Sequence, residues 1–159
     1  GGVVGQIGMG QHGTAFAHAG MRMGPAICYE GLYGDFYGDF VRRGAQFMAI
    51  ISNDGWWGDT PGYKHLFTIS RLRAIEHRRA IARSANTGMS GFISARGDIG
   101  ETLGWEKRGV ISAAVPLNSE LTFYTRYGDY LGRIAEYLTL LCVLYYIAYR
   151  VKRENYLVK

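Results

Sequence analysis

Cysteine and proline are scarce in this chain of 159 residues, which contains only two cysteines and three prolines. Cys28 follows a short apolar run and Cys142 lies within a long one, so neither a disulfide framework nor a metal site follows from them. We expect no metal and no other cofactor. Aromatic residues make up 14% of the chain, which excludes a disordered or low-complexity composition. The length is sufficient for one modest domain with a hydrophobic core.

The sequence also lacks a signal peptide and an initiator methionine. Residues Gly1–Gly20 are rich in glycine and predict a loop, so we expect the chain to start within a domain. The net charge of +5 is partly local, because basic residues collect at the C-terminus beside an apolar run. This arrangement favours a membrane flank over nucleic-acid binding, and nucleic acid is not an expected partner.

The first convincing strand, predicted over Met21–Glu30, ends in reactive side chains. Small and apolar residues lead directly to a thiol, a phenol and a carboxyl group at Cys28, Tyr29 and Glu30. Strands that stop in reactive groups commonly hold a nucleophile at the rim of a sheet, and a thiol attacks only as the thiolate. The alternative is that Cys28 is one more small buried residue, which is the usual fate of a free cysteine.

A second strand, predicted over Phe47–Ile51, also ends in polar and aromatic residues, which run from Ser52 to Gly58. The intervening segment Gly31–Arg43 has helical spacing, and Gly44 is expected to end the helix. Strand, helix and strand of this size predict a parallel crossover, and ligands collect at the strand ends of such sheets.

Thr60 and Pro61 predict the start of a longer helix, which we expect to extend from Gly62 to about Arg83. Its predicted apolar face includes Leu72, Ile75 and Ile81. The basic residues around this face are interpreted as solvated; they are Lys64, Arg71, Arg73, Arg78 and Arg79. Glu76 and His77 are expected at the surface or between helices, and His12, His18 and His65 receive no role.

The next segments predict strands over Met89–Ala95, Ile99–Leu103 and Gly109–Val115, followed by an aromatic linker over Thr122–Asp129. A charge-free run, Tyr137–Tyr149, then precedes basic residues. Extended back to Tyr130, this run is long enough to cross a bilayer, which takes roughly 20 residues. The alternative is an amphipathic helix docked on the domain.

We therefore expect a domain over residues 1–127, a transmembrane helix over 130–150 and a basic tail over 151–159. The positive-inside rule predicts a cytoplasmic tail and places the domain on the opposite side of the membrane.

Four motifs in order, ICYE, ISNDGWWGDTPGYKH, LRAIEHRRAIARSANTG and RGDIGE, precede this helix. From about Gly24 onward the chain resembles the C-terminal half of apolipoprotein N-acyltransferases, membrane-embedded members of the nitrilase (carbon–nitrogen hydrolase) superfamily. The resemblance implies an α/β fold, the C-terminal half of an α-β-β-α sandwich on the periplasmic side of a bacterial inner membrane. It implies a phospholipid as acyl donor and an apolipoprotein as acceptor.

The same resemblance implies roles for individual residues. Cys28 corresponds to the nucleophile, which carries the acyl chain as a thioester. Tyr29 and Glu30 correspond to supporting positions, with the Tyr29 N–H as an oxyanion donor. Candidate binding residues on the neighbouring wall are Asn53, Asp54, Trp56 and Trp57. The general-base Glu and the Lys of the family's triad lie upstream of the nucleophile, so residues 1–159 alone are expected to be inactive.

Two other functions are compatible with the residues. A soluble nitrilase-type amidase would use the same thiolate chemistry on a small amide or nitrile. A membrane-tethered binding module would not need Cys28 at all. The segment Tyr130–Lys159 distinguishes the amidase from the acyltransferase, because a soluble amidase has no use for an apolar run that ends in basic residues.

Overall fold

A computed structural model describes residue 10 and residues 12–157, and the chain divides after Gly128 into two units. The first unit contains a six-stranded mixed sheet whose strands follow one another in sequence order. The second, third and fourth strands are parallel, and the others run antiparallel to their neighbours. The strands are β1 (Phe16–His18), β2 (Met21–Ile27), β3 (Phe47–Ser52), β4 (Ile81–Ala85), β5 (Ser90–Ile93) and β6 (Ile99–Leu103).

Two helices make the parallel crossovers: α1 (Gly34–Arg42) joins β2 to β3, and α2 (Pro61–His77) joins β3 to β4. Their apolar side chains form one core with alternate residues of the strands, because successive strand side chains point to opposite faces. The core includes Ala26, Tyr37, Phe40, Val41, Met48, Ile50, Phe67, Ala74, Ile81 and Ile93. The opposite face of β3 stays partly exposed at Phe47, Ala49 and Ile51. The helices α1 and α2 therefore cover one face of the sheet.

Register aligns the ends of the three parallel strands. Ala26 pairs with Ile50, which pairs with Arg83, and Ile27 pairs with Ile51. Because parallel strands end at the same edge of a sheet, the residues that follow Ile27 and Ser52 lie at one carboxyl edge. Ligand sites of open α/β sheets form at such edges.

Several sequence predictions are confirmed. The strand predicted over Phe47–Ile51 is β3, and Gly44, at a φ of +96°, follows the end of α1. Thr60 is the N-cap of α2, and its side chain accepts a hydrogen bond from the Gly62 N–H. The strand predicted over Met21–Glu30 is too long, because β2 ends at Ile27 and a 3-10 helix begins at Cys28. The predicted loop Gly1–Gly20 contains β1, and its residues 1–9 and 11 lie outside the described residues.

The prediction that α2 reaches Arg83 is wrong. The helix ends at His77 because Arg78 adopts a left-handed conformation with a φ of +50°, and Ile81 then enters β4. Arg79, only 1% exposed, donates hydrogen bonds to the carbonyl oxygens of Ala45 and Glu120, among others. The hydrogen bonds of this buried arginine thus stabilise the connection that follows the end of α2.

The burial of α2 differs from its predicted pattern. Leu72 and Ile75 are exposed, whereas Arg73 is buried and forms an ion pair with Glu76 at 3.1 Å. Lys64 and Arg78 are exposed, as predicted. The buried residues of α2 are Tyr63, Leu66, Phe67, Ser70, Arg73, Ala74 and His77. The interpretation of Arg73 and Arg79 as solvated is therefore wrong.

Two further predictions after β6 are also wrong. Gly109–Val115 forms no strand, and Val110 is almost fully exposed. A short helix, α3 (Phe123–Tyr127), occupies most of the predicted linker Thr122–Asp129. The Thr122 side chain caps α3 by accepting a hydrogen bond from the Thr125 N–H, at 3.0 Å.

The second unit consists of one helix, α4 (Tyr130–Leu157). Its first 21 residues, Tyr130–Arg150, are long and apolar enough to cross a membrane, and this window is not buried. The helix continues beyond the segment predicted to span the bilayer. A 21-residue helix is about 30 Å long, which matches the hydrocarbon thickness.

Candidate active site

Cys28 begins a tight turn immediately after β2. The 3-10 helix Cys28–Leu32, here named the Cys28 turn, starts with Cys28 at a φ of +50°. This left-handed conformation costs a non-glycine residue about 1–2 kcal/mol. A nucleophile on a strained strand-to-helix junction is held clear of its own strand, and the N–H of the next residue is free to stabilise an oxyanion. Cys28 is partly buried and not in a disulfide.

Glu30 links the Cys28 turn to the end of β2. Its Oε2 atom accepts a hydrogen bond of 2.7 Å from the backbone N–H of Ile27. Gly31 is buried over β3, where an added Cβ would meet Ile50 Cδ1 at 3.8 Å. Tyr29 is half exposed. The structure therefore places the three predicted residues Cys28, Tyr29 and Glu30 in a single turn at the carboxyl edge.

The other predicted residues lie on a second 3-10 helix, Asp54–Trp57, here named the Trp turn. Asn53 caps it, since its Oδ1 accepts a hydrogen bond of 3.2 Å from the Gly55 N–H. Trp56 is 83% exposed, and Trp57 packs on the first turn of α2 at Gly62. The Trp turn follows β3, which pairs with β2, so the two turns follow adjacent parallel strands.

Asp54 is 0% exposed and forms a buried ion pair with Arg83 of β4. Arg83 Nη2 donates to both carboxylate oxygens at 3.0 Å, and Ser52 Oγ donates to Asp54 Oδ1 at 2.5 Å. Burial lowers the pKa of Arg83, while the charges of Asp54 and Cys28 act in the opposite direction. Arg83 was missed because the sequence pattern placed it in a helix. The available signal was the segment that follows, since Asn86, Thr87 and Gly88 are typical of a turn after a strand.

His77 is the buried histidine of the described residues, and it lies between helices as predicted. Its Nδ1 hydrogen-bonds to Thr125 Oγ1 at 2.9 Å, and its ring packs against Tyr37 of α1. Burial, followed by the nearby charge of Arg73, lowers the pKa of His77 to about 3. The imidazole is therefore neutral at physiological pH and joins α2 to α3.

The remaining histidines lie on other segments of the chain. His12 is 3.8 Å from Asp39, and His18 and His65 are exposed. No group of three or more His, Cys, Asp or Glu side chains suited to a metal ion occurs in the described part of the chain.

The structure thus brings a cysteine at a positive φ and an acidic residue together in one turn at the carboxyl edge of an α/β sheet. Residues 5–121 match the family model described as "Carbon-nitrogen hydrolase". This chain belongs to the carbon–nitrogen hydrolase family.

Within the family, the relatives that are similar to this chain include proteins named apolipoprotein N-acyltransferase. The protein of that name from Chlorobaculum tepidum is 45% identical over 109 residues, which cover 69% of this chain and 20% of the relative. That from Rhizobium meliloti is 42% identical over 97 residues, which cover 61% of this chain and 18% of the relative. The chain thus spans about a fifth of the length of these proteins.

Solved structures share the fold. Saccharomyces cerevisiae Nit3, a member of the nitrilase superfamily, matches with a TM-score of 0.56 and 20% identity, covering 64% of this chain and 40% of Nit3. A mutant of the amidase from Nesterenkonia sp. AN1 matches with a TM-score of 0.53 and 17% identity, covering 77% and 48%. The predicted nitrilase-type fold is confirmed.

Proposed function

We propose that this chain carries the nucleophile of an apolipoprotein N-acyltransferase. The enzyme would move a fatty acyl chain from a phospholipid to the N-terminal diacylglyceryl-cysteine of an apolipoprotein. The observation that carries the proposal is the placement of Cys28, at a φ of +50° on the carboxyl edge of the sheet. The sequence identity to enzymes of that name supports the choice of reaction.

In the first half-reaction the Cys28 thiolate attacks the ester carbonyl of the phospholipid. The ester C–O bond breaks, and the glycerol oxygen leaves as the hydroxyl of a lysophospholipid after receiving the proton that a general base took from the thiol. The Tyr29 N–H stabilises the oxyanion of the tetrahedral intermediate. In the second half-reaction the acceptor amine attacks the thioester, the C–S bond breaks, and the Cys28 thiol is restored.

The Trp turn follows β3, the strand that pairs with the one leading to the nucleophile. We assign Asn53, Trp56 and Trp57 to the wall that contacts the acyl chain and the lipoprotein, because an exposed indole suits an apolar chain at an aqueous boundary. Asp54 stabilises this wall through its buried ion pair with Arg83 and its hydrogen bond with Ser52. Glu30 holds the Cys28 turn closed and is not assigned as the general base.

The helix α4 suits a membrane anchor. Its apolar stretch ends at Arg150, and Lys152 and Arg153 are exposed beyond it. We place these basic residues in the cytoplasm and the catalytic unit in the periplasm of a bacterial inner membrane. Carbonate extraction of membranes tests whether α4 is an integral anchor. Full release of the protein into the supernatant would favour the soluble amidase.

The chemistry can be tested by trapping the acyl-enzyme. The protein is expressed from its complete reading frame in membranes and incubated with phospholipid that carries a labelled acyl chain. We expect label that hydroxylamine releases, and we expect Cys28→Ser to abolish it. Cys142→Ser is the matched control, because Cys142 lies in α4 outside the proposed site, and it should retain the label.

Two results would contradict the proposal. Labelling that survives in Cys28→Ser would exclude Cys28 as the acyl carrier. Hydrolysis of small amides without any labelling by phospholipid would assign the thiol to an amidase. We further propose that residues 1–159 expressed alone transfer no acyl chain, because the resemblance assigns the general base and the lysine to upstream segments. Acyl transfer by this segment at the rate of the complete protein would overturn that assignment.

A further inference from the structure

The Trp turn is fixed to the sheet at its first residue. Asp54 has no exposed surface, and its carboxylate receives hydrogen bonds from Arg83 Nη2 of β4 and Ser52 Oγ of β3. Charge-assisted hydrogen bonds of this kind are shorter and stronger than neutral ones. The three side chains of Ser52, Asp54 and Arg83, here named the Asp54 clamp, therefore connect two strands to the start of the Trp turn.

The loop after β4 encloses the Asp54 clamp on a further side. Gly88 lies so close to Asp54 that an added Cβ would collide with the carboxylate and with the Asp54 Cβ. At the next position of the Trp turn, a Cβ on Gly55 would lie 3.3 Å from Thr87 Oγ1. Close-packed surroundings leave a buried side chain few alternative positions. The Asp54 carboxylate is therefore held from the strand side and from the loop side.

The outer residues of the same turn are presented to solvent. Trp56 is 83% exposed only two residues after the fully buried Asp54. In a turn this short, the direction of the Trp56 indole depends on how both ends are held, at Asp54 and at Trp57, whose carbonyl oxygen accepts a hydrogen bond from Thr60 Oγ1.

The Asp54 clamp also lies next to the Cys28 turn. In register, Arg83 is aligned through Ile50 with Ala26, two residues before Cys28, and all three side chains point to the helix-covered face.

We propose that Asp54 and Arg83 are positioning residues, which orient the Trp turn relative to the Cys28 turn and thereby set the affinity for the acyl donor. The inference rests on the proposed function, since it assigns the donor wall to the Trp turn. Breaking the Asp54 clamp should weaken donor binding and leave the intrinsic reactivity of the Cys28 thiol in place. If these residues contributed only to stability, their substitution would lower donor binding and thiol reactivity to the same extent.

The test compares wild type, Asp54→Asn and Ser52→Ala in the protein expressed from its complete reading frame in membranes. Asp59→Asn, at an exposed acidic residue just beyond the Trp turn, is the matched control. Three quantities are measured: the phospholipid concentration for half-maximal thioester formation, the rate of Cys28 alkylation by iodoacetamide, and amide hydrogen exchange over residues 53–58. Ser52→Ala removes only one hydrogen bond, so it remains informative if Asp54→Asn does not fold.

We expect the half-maximal phospholipid concentration to rise about tenfold in Asp54→Asn, the size expected when one charge-assisted hydrogen bond is lost. Exchange over residues 53–58 should accelerate, and alkylation should stay within about twofold of wild type. Ser52→Ala should change the half-maximal phospholipid concentration and the exchange rate in the same direction but by a smaller amount. Asp59→Asn should match wild type in all three measurements.

Unchanged donor dependence with normal thioester formation would overturn the inference and leave the proposed function intact. A parallel fall in alkylation and acyl transfer would overturn it as well, because the Asp54 clamp would then serve general stability. If wild type forms no thioester, the proposed function fails. In that case unaltered exchange over residues 53–58 in both variants would also refute the positioning role, whereas faster exchange would support it.

Discussion

Replacement of Cys28 by glycine tests whether the nucleophile is held under backbone strain. Cys28 has a φ of +50°, a conformation that glycine adopts freely and other residues adopt at a cost. Cys28→Gly and Cys28→Ala both remove the thiol, and they differ by one methyl group. The difference in stability between the two variants therefore isolates the backbone term.

The expected magnitude follows from two opposing contributions. Relief of the left-handed conformation favours the glycine variant by about 1–2 kcal/mol. The greater entropy of glycine in the unfolded chain offsets about 0.4–1 kcal/mol of this. We therefore expect Cys28→Gly to be about 1 kcal/mol more stable than Cys28→Ala, although neither variant can form a thioester. For a domain of this size, that difference raises Tm by roughly 2–4 °C.

Arg78 provides a matched control, because it has the same φ of +50° and lies at the exposed end of α2. Thermal unfolding in detergent is compared for the Gly and Ala variants at both positions. Arg78→Gly should exceed Arg78→Ala by a similar margin while acyl transfer persists. If the glycine advantage appears at Arg78 and is absent at Cys28, the Cys28 turn is not strained and this reasoning is refuted.

Two further predictions concern burial. The neutral imidazole of His77, with a pKa of about 3 against 6.5 in the unfolded chain, makes the fold lose stability as pH falls through 6.5, because only the unfolded state binds the proton. Urea titrations should show that this residue accounts for about 2 kcal/mol of the loss between about pH 7.5 and about pH 5. His77→Gln should lack that share, and an unchanged loss would contradict the assignment. Gly88→Ala should cost about 1–3 kcal/mol in thermal unfolding, because the new methyl group meets Asp54. Gly104→Ala, with open space around it, should be near neutral, and equal effects would exclude the close approach.

The parallel crossover could be predicted from the sequence because its signals are local. The apolar run before Ser52 and the Thr60–Pro61 start are each contained within a few residues, and the structure agrees with both. The end of α2 could not be predicted in this way. Ile81 continues a helical apolar spacing, and only the left-handed Arg78 and the distant acceptors of Arg79 end the helix.

The proposed nucleophile could likewise be predicted from a local motif, whereas the contacts around it could not. Cys28, Tyr29 and Glu30 are consecutive, so a motif identifies them together, although it does not give the positive φ of Cys28. Asp54 was interpreted as part of an accessible wall, and its full burial depends on Arg83, which is 29 residues away in sequence. Hydrophobic periodicity cannot reveal such a pair, because aspartate and arginine, each considered alone, are residue types that are mostly exposed.

The buried ion pair between Asp54 and Arg83 indicates that the orientation of the Trp turn is important. Replacing such a pair by apolar residues is often neutral or stabilising, so stability alone is a weak reason for a buried ion pair. Hydrophobic contacts are non-directional, so an apolar replacement would not fix the orientation of the turn. The hydrogen bonds of Asp54 with Arg83 and Ser52 are directional and can fix it. The Trp turn is short, and it is held at two places: at its buried end by Asp54, and at its other end by the contact of Trp57 with the start of α2. A directional pair at Asp54 is therefore expected if the position of Trp56 relative to Cys28 matters for the reaction.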